Sequence, residues 1–301
     1  MAVMRVFVTG GTGFVGSAVV RDLIDAGHSV LALARSVRSA ARLEAAGAEP
    51  IPGSLDEAER LQEAASRADA VIHTAFDNSS LARFPRNSRI ERAALQAIGD
   101  ALVGSDRPLV AAGGFIPVIA TGPVFTELDV ASPKAGLLGR NVERTIMALA
   151  DAGVNASIVR MPVVHGDADR FTIPRFIDAA RKHGRSGYVG DGSNRLPAVH
   201  NLDAARVFRL AIERAVPRGR YHAVAEEGVP FKDIAEVIGR RLGVPVVSLS
   251  PRAARAHFGL YTSYARADGP ASSALTRDQL GWAPVGPGLL ADLDRREYFP
   301  S

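Results

Sequence analysis

Apolar positions in the first half of the chain fall into short runs separated by stretches of helical period. Runs at Arg5 to Thr9, Ser29 to Arg35, Ala48 to Ile51, Ala70 to Thr74, Leu109 to Ala112 and Ser157 to Met161 have the length and continuity of strands. Between them, Ser17 to Ala26, Arg38 to Ala46, Leu55 to Ser66, Ile90 to Leu102 and Gly139 to Asp151 read as helices. Gly27, Gly47 and Gly153 stand just past three of these helices, where a left-handed turn suits a residue without a Cβ. Strand alternating with helix predicts a parallel sheet covered on both faces, a doubly wound α/β Rossmann fold.

After about Gly166 the alternation loosens. Gly, Asn and Pro cluster from Gly184 to Pro197, which reads as loop with one short strand, and helices follow at Asn201 to Arg214, Phe231 to Leu242 and Arg277 to Leu280. The expected division is a nucleotide-binding domain over residues 1–165, rejoined by 196–225, and a smaller C-terminal substrate-binding lobe made mainly from 166–301.

Composition narrows the function classes. With 47% hydrophobic and 23% charged residues in 301, the chain belongs with folded globular proteins and far from disorder. The net charge is +4, but basic residues are scattered, with only short pairs such as Arg240-Arg241 and Arg295-Arg296, so no nucleic-acid partner is expected. The absence of cysteine excludes disulfides and thiol nucleophiles. Glycines and prolines interrupt the longest apolar stretch, Leu109 to Val124, so no membrane span is expected. A strand beginning at Arg5 leaves no space for a secretory leader, and the expected location is the cytoplasm. No His, Asp and Glu spacing suggests a metal site, and no Gly-x-Ser-x-Gly elbow marks a serine hydrolase.

The most informative motif is Thr9-Gly10-Gly11-Thr12-Gly13-Phe14-Val15-Gly16, between the first strand and the first helix. A dinucleotide site needs a tight turn at Gly10, close backbone approach to a pyrophosphate at Gly13, and close packing at Gly16. An NAD site would place Asp or Glu at the end of the second strand, on the ribose 2′-hydroxyl. This chain has Leu33-Ala34-Arg35-Ser36 there, with Arg38 nearby. Two arginines in place of the acid suit a 2′-phosphate, so NADP(H) is preferred over NAD.

The spacing of Gly10, Gly13 and Gly16 resembles the loop of extended short-chain dehydrogenases/reductases, relatives of the NAD-dependent epimerases and dehydratases. Four further segments resemble that family in the right order: Ala68 to Ala75, Ile158 to Gly166, Ala198 to Val207, and Leu280 to Trp282 followed by Pro284. The resemblance implies that Thr12, Phe14, Val15 and Leu55 join the glycine loop around the nucleotide, with Ser36 beside the arginines. It further implies that Thr74, Ala75 and Phe76 border the ribose and nicotinamide, that Pro162 and Val163 meet the carboxamide, and that Asn194 and Arg195 bind substrate. Homodimerisation through two helices is a family expectation.

One departure matters. Members that transfer hydride use a Tyr-x-x-x-Lys pair, in which the lysine lowers the tyrosine pKa. None of the five tyrosines here (Tyr188, Tyr221, Tyr261, Tyr264, Tyr298) has Lys four residues later. Aligning Glu143 with the acid that follows the lysine puts Ala135 and Gly139 at the two positions, and Gly113 where a serine would stand. The pattern resembles atypical subgroups that keep the loop without the active-site residues. Asp77, Lys134 and His165 are then the candidate catalytic side chains. The expected function is NADP(H)-dependent oxidation or reduction of a small carbonyl or alcohol substrate with an unusual proton donor. An NADP-retaining epimerase, dehydratase or isomerase and a non-catalytic dinucleotide sensor remain as alternatives.

Overall fold

The computed structural model describes residues 3–78, 81–115, 122–130 and 140–299. Strands β1 (Arg5–Thr9), β2 (Ser29–Ala34), β3 (Glu49–Pro52), β4 (Ala70–His73), β5 (Leu109–Gly114) and β6 (Ala156–Met161) alternate with helices α1 (Phe14–Asp25), α2 (Val37–Ala45), α3 (Ala58–Ser66), α4 (Phe84–Leu102) and α5 (Val142–Asp151). The second half adds β7 (Val163–His165), α6 (Thr172–His183), β8 (Ser186–Val189), β9 (Arg195–His200), α7 (Asn201–Arg214), β10 (Arg220–His222), β11 (Glu226–Pro230), α8 (Phe231–Leu242), β12 (Val246–Leu249), α9 (Pro251–Phe258) and α10 (Thr262–Arg266).

The central sheet runs β10-β6-β5-β4-β1-β2-β3, with every pair parallel. Its inner strands are buried on both faces because alternate side chains leave opposite sides and meet helices on each. In β1, Val6 and Val8 pack with α1 and α7, whereas Phe7 packs with α3, α4 and α5. The helix α7 lies against α1, and β10 extends the sheet beside β6, so this part of the late chain belongs to the Rossmann layer.

The remaining late elements build a smaller lobe. A three-stranded sheet, β11-β9-β7, and a parallel pair, β12-β8, are covered by α6, α8 and α9 around a core that includes Phe176, Phe231 and Phe258. Those short strands escape a pattern reading because three to six residues define no period. The helix α6 escapes it because Pro174 looks like a breaker, yet proline is tolerated in a first helical turn, where the lost N–H has no intrahelical partner. The same allowance lets α4 start at Phe84, ahead of the expected Ile90, with Pro85 in its first turn. Conversely α3 starts at Ala58 because Ser54 and Glu57 form a turn, the Ser54 N–H donating to Glu57 Oε1 at 2.9 Å.

Candidate functional site

The strand order reverses between β1 and β4, and in such sheets ligands bind beyond the carboxyl ends of the strands at that crevice. The glycine loop sits there. Gly10 has φ +79°, and its carbonyl accepts the Gly13 N–H at 2.8 Å. A Cβ on Gly10 would stand 2.7 Å from the Ala75 nitrogen, and one on Gly16 would stand 2.0 Å from the Gly10 carbonyl oxygen. Loop, helix and the end of β4 are pressed together, and the Thr74 hydroxyl adds a hydrogen bond to the Thr9 carbonyl at 2.8 Å. At the start of α1, Gly13 provides no side-chain cap and the first turn carries no acid. Its unpaired N–H groups and positive dipole end therefore fit a pyrophosphate.

Around this cradle, Thr12, Phe14 and Val15 are half-buried at the start of α1. At the end of β2, Arg35 and Arg38 are exposed with no carboxylate between them, and Ser36 caps α2 by accepting the Ser39 N–H at 3.2 Å. Leu55 packs on the core on the α3 side. Beyond β4, Thr74, Ala75, Phe76 and Asp77 are all half-buried, and the Asp77 carbonyl accepts the Asn87 amide at 2.8 Å.

Beneath Phe76 lies a polar chain that pattern analysis missed. Thr9 Oγ1 and His73 Nδ1 are 2.8 Å apart, and His73 Nε2 lies 3.7 Å from Glu91 Oε1. Arg140 grips the same carboxylate through Nε at 2.9 Å and Nη2 at 2.7 Å, and its guanidinium lies 4.1 Å from the centre of the Phe76 ring. Burial alone would raise the Glu91 carboxyl, but His73 and Arg140 outweigh it and hold it below the usual value. One signal could have exposed this chain. Glu91 shares the apolar stripe of α4 with Ala94, Leu95, Ile98 and Leu102, and an acid in such a stripe needs a buried partner.

A second buried cluster supports α5 and the far edge of the sheet. Arg160, with no exposed surface, contacts Glu143 at 2.8 and 2.7 Å, and Arg220 reaches the same carboxylate at 2.9 Å. Glu143 therefore belongs to this structural ion cluster.

The other expected residues are placed as follows. His165 is fully buried, with Nδ1 2.9 Å from Asp292 Oδ2, which the Tyr298 hydroxyl also contacts at 3.2 Å. Pro162 is half-buried just after β6, and Val163 packs into the lobe core. The Asn194 amide donates to the carbonyls of Ala265 and Ala267, and Arg195 pairs with Asp268 at 3.0 and 3.1 Å. Lys134, Ala135 and Gly139 lie outside the described residues. Among the described residues no group of acids and histidines could hold a metal, and no helix is long and apolar enough to cross a membrane.

Comparison with known proteins agrees with this geometry. The profile of the NAD dependent epimerase/dehydratase family matches residues 6–96. An uncharacterized protein of Schizosaccharomyces pombe is 41% identical over 297 residues, covering 98% of this chain and 100% of its own length. The 2-alkyl-3-oxoalkanoate reductase of Stenotrophomonas maltophilia is 29% identical over 260 residues, covering 81% of this chain and 77% of the reductase. Among solved structures, a dTDP-glucose 4,6-dehydratase from Streptomyces venezuelae with NAD bound superposes with a TM-score of 0.74 at 21% identity, over 98% of this chain and 97% of that one. With the glycine cradle at the switch point of an all-parallel sheet, the chain belongs to the NAD-dependent epimerase/dehydratase family, of the extended short-chain dehydrogenase/reductase type.

Proposed function

We propose that the protein is an NADP(H)-dependent oxidoreductase that reduces a small carbonyl compound or oxidises the corresponding alcohol. The observation that carries the reading is the nucleotide cradle itself. Gly10 and Gly16 let loop, helix and β4 close together, Gly13 leaves the start of α1 open to a pyrophosphate, and the end of β2 presents Arg35 and Arg38 where a carboxylate would select NAD. The bound dinucleotide supplies or accepts the hydride. The reductase activity named for the Stenotrophomonas relative supports carbonyl chemistry over sugar-nucleotide chemistry. In this reading Thr74, Ala75, Phe76 and Pro162 line the nicotinamide end, and the lobe closes the substrate side.

Fluorescence titration with NADPH and NADH tests the cofactor. NADPH should bind more tightly, and Arg35→Ala should weaken NADPH by about tenfold while leaving NADH nearly unchanged, the loss of one charge-assisted hydrogen bond. A screen of ketones and aldehydes, followed by NADPH absorbance, then tests the reaction. Equal affinity for both nucleotides removes the NADP preference. Turnover without net NADPH consumption would support the epimerase or dehydratase alternative.

A further inference from the structure

We propose that Arg140 is the oxygen-binding catalytic residue of the cleft, its guanidinium donating to the substrate carbonyl in place of the usual tyrosine and serine hydroxyls. The assignment rests on the reductase reading above.

Arg140 is a mounted group. It immediately precedes Asn141, whose side chain caps α5 by accepting the Arg144 N–H at 3.1 Å, so the start of the helix fixes where the Arg140 side chain leaves the backbone. Its Nε and Nη2 donate to the two oxygens of Glu91 at 2.9 and 2.7 Å, and the Glu91 side chain is only 4% exposed. One face of the guanidinium covers Phe76, with Cζ 4.1 Å from the ring centre. No hydrogen bond engages Nη1 among the described residues, and 24% of the Arg140 side chain is accessible. The accessible end therefore carries N–H donors whose direction is set by the carboxylate on the opposite edge.

The mount stands at the carboxyl end of β4, beside the glycine loop. Glu91 Oε1 is 3.7 Å from Nε2 of His73, the last residue of β4, and His73 Nδ1 is 2.8 Å from Thr9 Oγ1 at the end of β1. Phe76 follows Ala75, whose backbone nitrogen would lie 2.7 Å from a Cβ on Gly10. On the other side His73 pairs with Ala111, so β4 and β5 end side by side, and β5 ends in Gly113 and Gly114. Neither glycine has a hydroxyl to offer, and a Cβ on Gly114 would meet nothing within 4 Å. A fixed cationic edge thus borders the crevice proposed above for the nicotinamide end, on the side where β5 leaves open space.

Glu91 compensates the charge of Arg140, so the free edge does not require an anionic partner. It suits a neutral carbonyl oxygen and binds it more strongly as negative charge builds there. The carbonyl carbon takes a hydride supplied by a dihydronicotinamide, the C=O π pair moves onto oxygen, and the Nη1 hydrogens stabilise the alkoxide. Guanidinium keeps its protons at any pH the fold survives, so water protonates the alkoxide and leaves hydroxide to the buffer. The carbonyl gains two electrons and becomes an alcohol while the dinucleotide is oxidised. Glu91 touches no substrate and is the positioning residue.

Three variants of the full-length protein test the assignment: Arg140→Ala, Arg140→Lys, and the charge-neutral Glu91→Gln/Arg140→Gln, which strands no buried carboxylate if Arg140→Ala fails to fold. The first measurement needs no turnover. Sulfite adds to C4 of the nicotinamide of bound NADP+, fixing an oxyanion where the carbonyl oxygen would sit, and the adduct is read by its ultraviolet absorbance. Wild-type protein should hold sulfite about tenfold more tightly than the double variant, the loss of one charge-assisted hydrogen bond, with NADP+ affinity nearly unchanged. Equal sulfite affinity, with NADP+ bound to both proteins, overturns the assignment whether or not the protein reduces anything. With NADPH and a reducible carbonyl, the double variant should keep its NADPH affinity and lose about a hundredfold or more in kcat. Arg140→Lys, which keeps charge but loses the fork, should be intermediate. Added guanidinium, below denaturing concentration, should restore turnover to Arg140→Ala, where Glu91 and Phe76 remain to seat it, and none to the double variant. Undiminished turnover in the double variant overturns the catalytic role. If wild-type protein shows Arg140-dependent sulfite binding and reduces no carbonyl, the reductase reading fails and the placement of Arg140 stands.

Discussion

Replacing Gly16 by alanine tests the cradle at its tightest point. The new Cβ would stand 2.0 Å from the Gly10 carbonyl oxygen and 2.7 Å from both the Gly10 carbonyl carbon and Thr74 Oγ1. Relaxing those contacts toward van der Waals separation requires the loop to retreat by roughly 1–1.5 Å. That retreat moves the N–H groups of the first turn of α1, from Phe14 onward, away from the phosphates the loop is proposed to hold. Two charge-assisted hydrogen bonds lost at about 1.5–3 kcal/mol each amount to about 3–6 kcal/mol, a rise in the NADPH Kd of roughly 10²- to 10⁴-fold. The crowding should also cost the free protein about 1–3 kcal/mol. Gly13→Ala provides the contrast, because its Cβ meets only the Gly10 oxygen at 3.1 Å. It should unfold in urea close to the wild-type midpoint and still bind NADPH poorly, since the crowding falls on the ligand. Fluorescence titration and urea unfolding of both variants measure the two effects. A Gly16→Ala protein with unchanged midpoint and an NADPH Kd within threefold of wild type would refute the packing argument.

Other outcomes follow from buried charges. Arg160→Met should destabilise the protein by about 3–5 kcal/mol in urea, because Glu143 stays buried with only Arg220 as an ion partner, and a loss below about 1 kcal/mol would contradict that. Burial pushes Asp169 from 3.8 up to about 6. Its folded-state value lies above the unfolded one, so the carboxylate costs the fold nothing below pH about 4 and most above pH about 6, and stability falls as pH rises through that window. Asp169→Asn should therefore gain stability over wild type at pH 8 by up to roughly 3 kcal/mol and gain none at pH 4, as read by urea midpoints. Burial lowers His257 to about 4, which disfavours the fold as pH falls from 6.5. That contribution opposes the one from Asp169, so the Asp169→Asn difference from wild type, not the raw pH profile, is the diagnostic. Equal gains at both pH values would remove the burial argument.

The fold and the glycine loop were legible because their signals are local. The first strand and helix periods and the glycine spacing all lie within about thirty residues of each other, and a βαβ unit has few ways to close. Gly27, Gly47 and Gly153 take the left-handed conformation their positions suggested, with φ of +86°, +86° and +89°. The substrate half was less legible. His165 looks like a cleft histidine from its place after a strand, yet Asp292 and Tyr298, from the far end of the chain, enclose it. Arg195 looks free, yet Asp268 engages its guanidinium.

The sequence by itself therefore determined the doubly wound sheet and the tight glycine loop at its switch point, since both arise from short-range periodicity and from glycines where a Cβ cannot fit. Only the tertiary structure decided which charges meet. Nothing near Glu91 in the chain announces Arg140, and nothing near His165 announces Asp292. A buried charge must find a partner, but the identity of that partner depends on how distant elements are brought together, which no local pattern encodes.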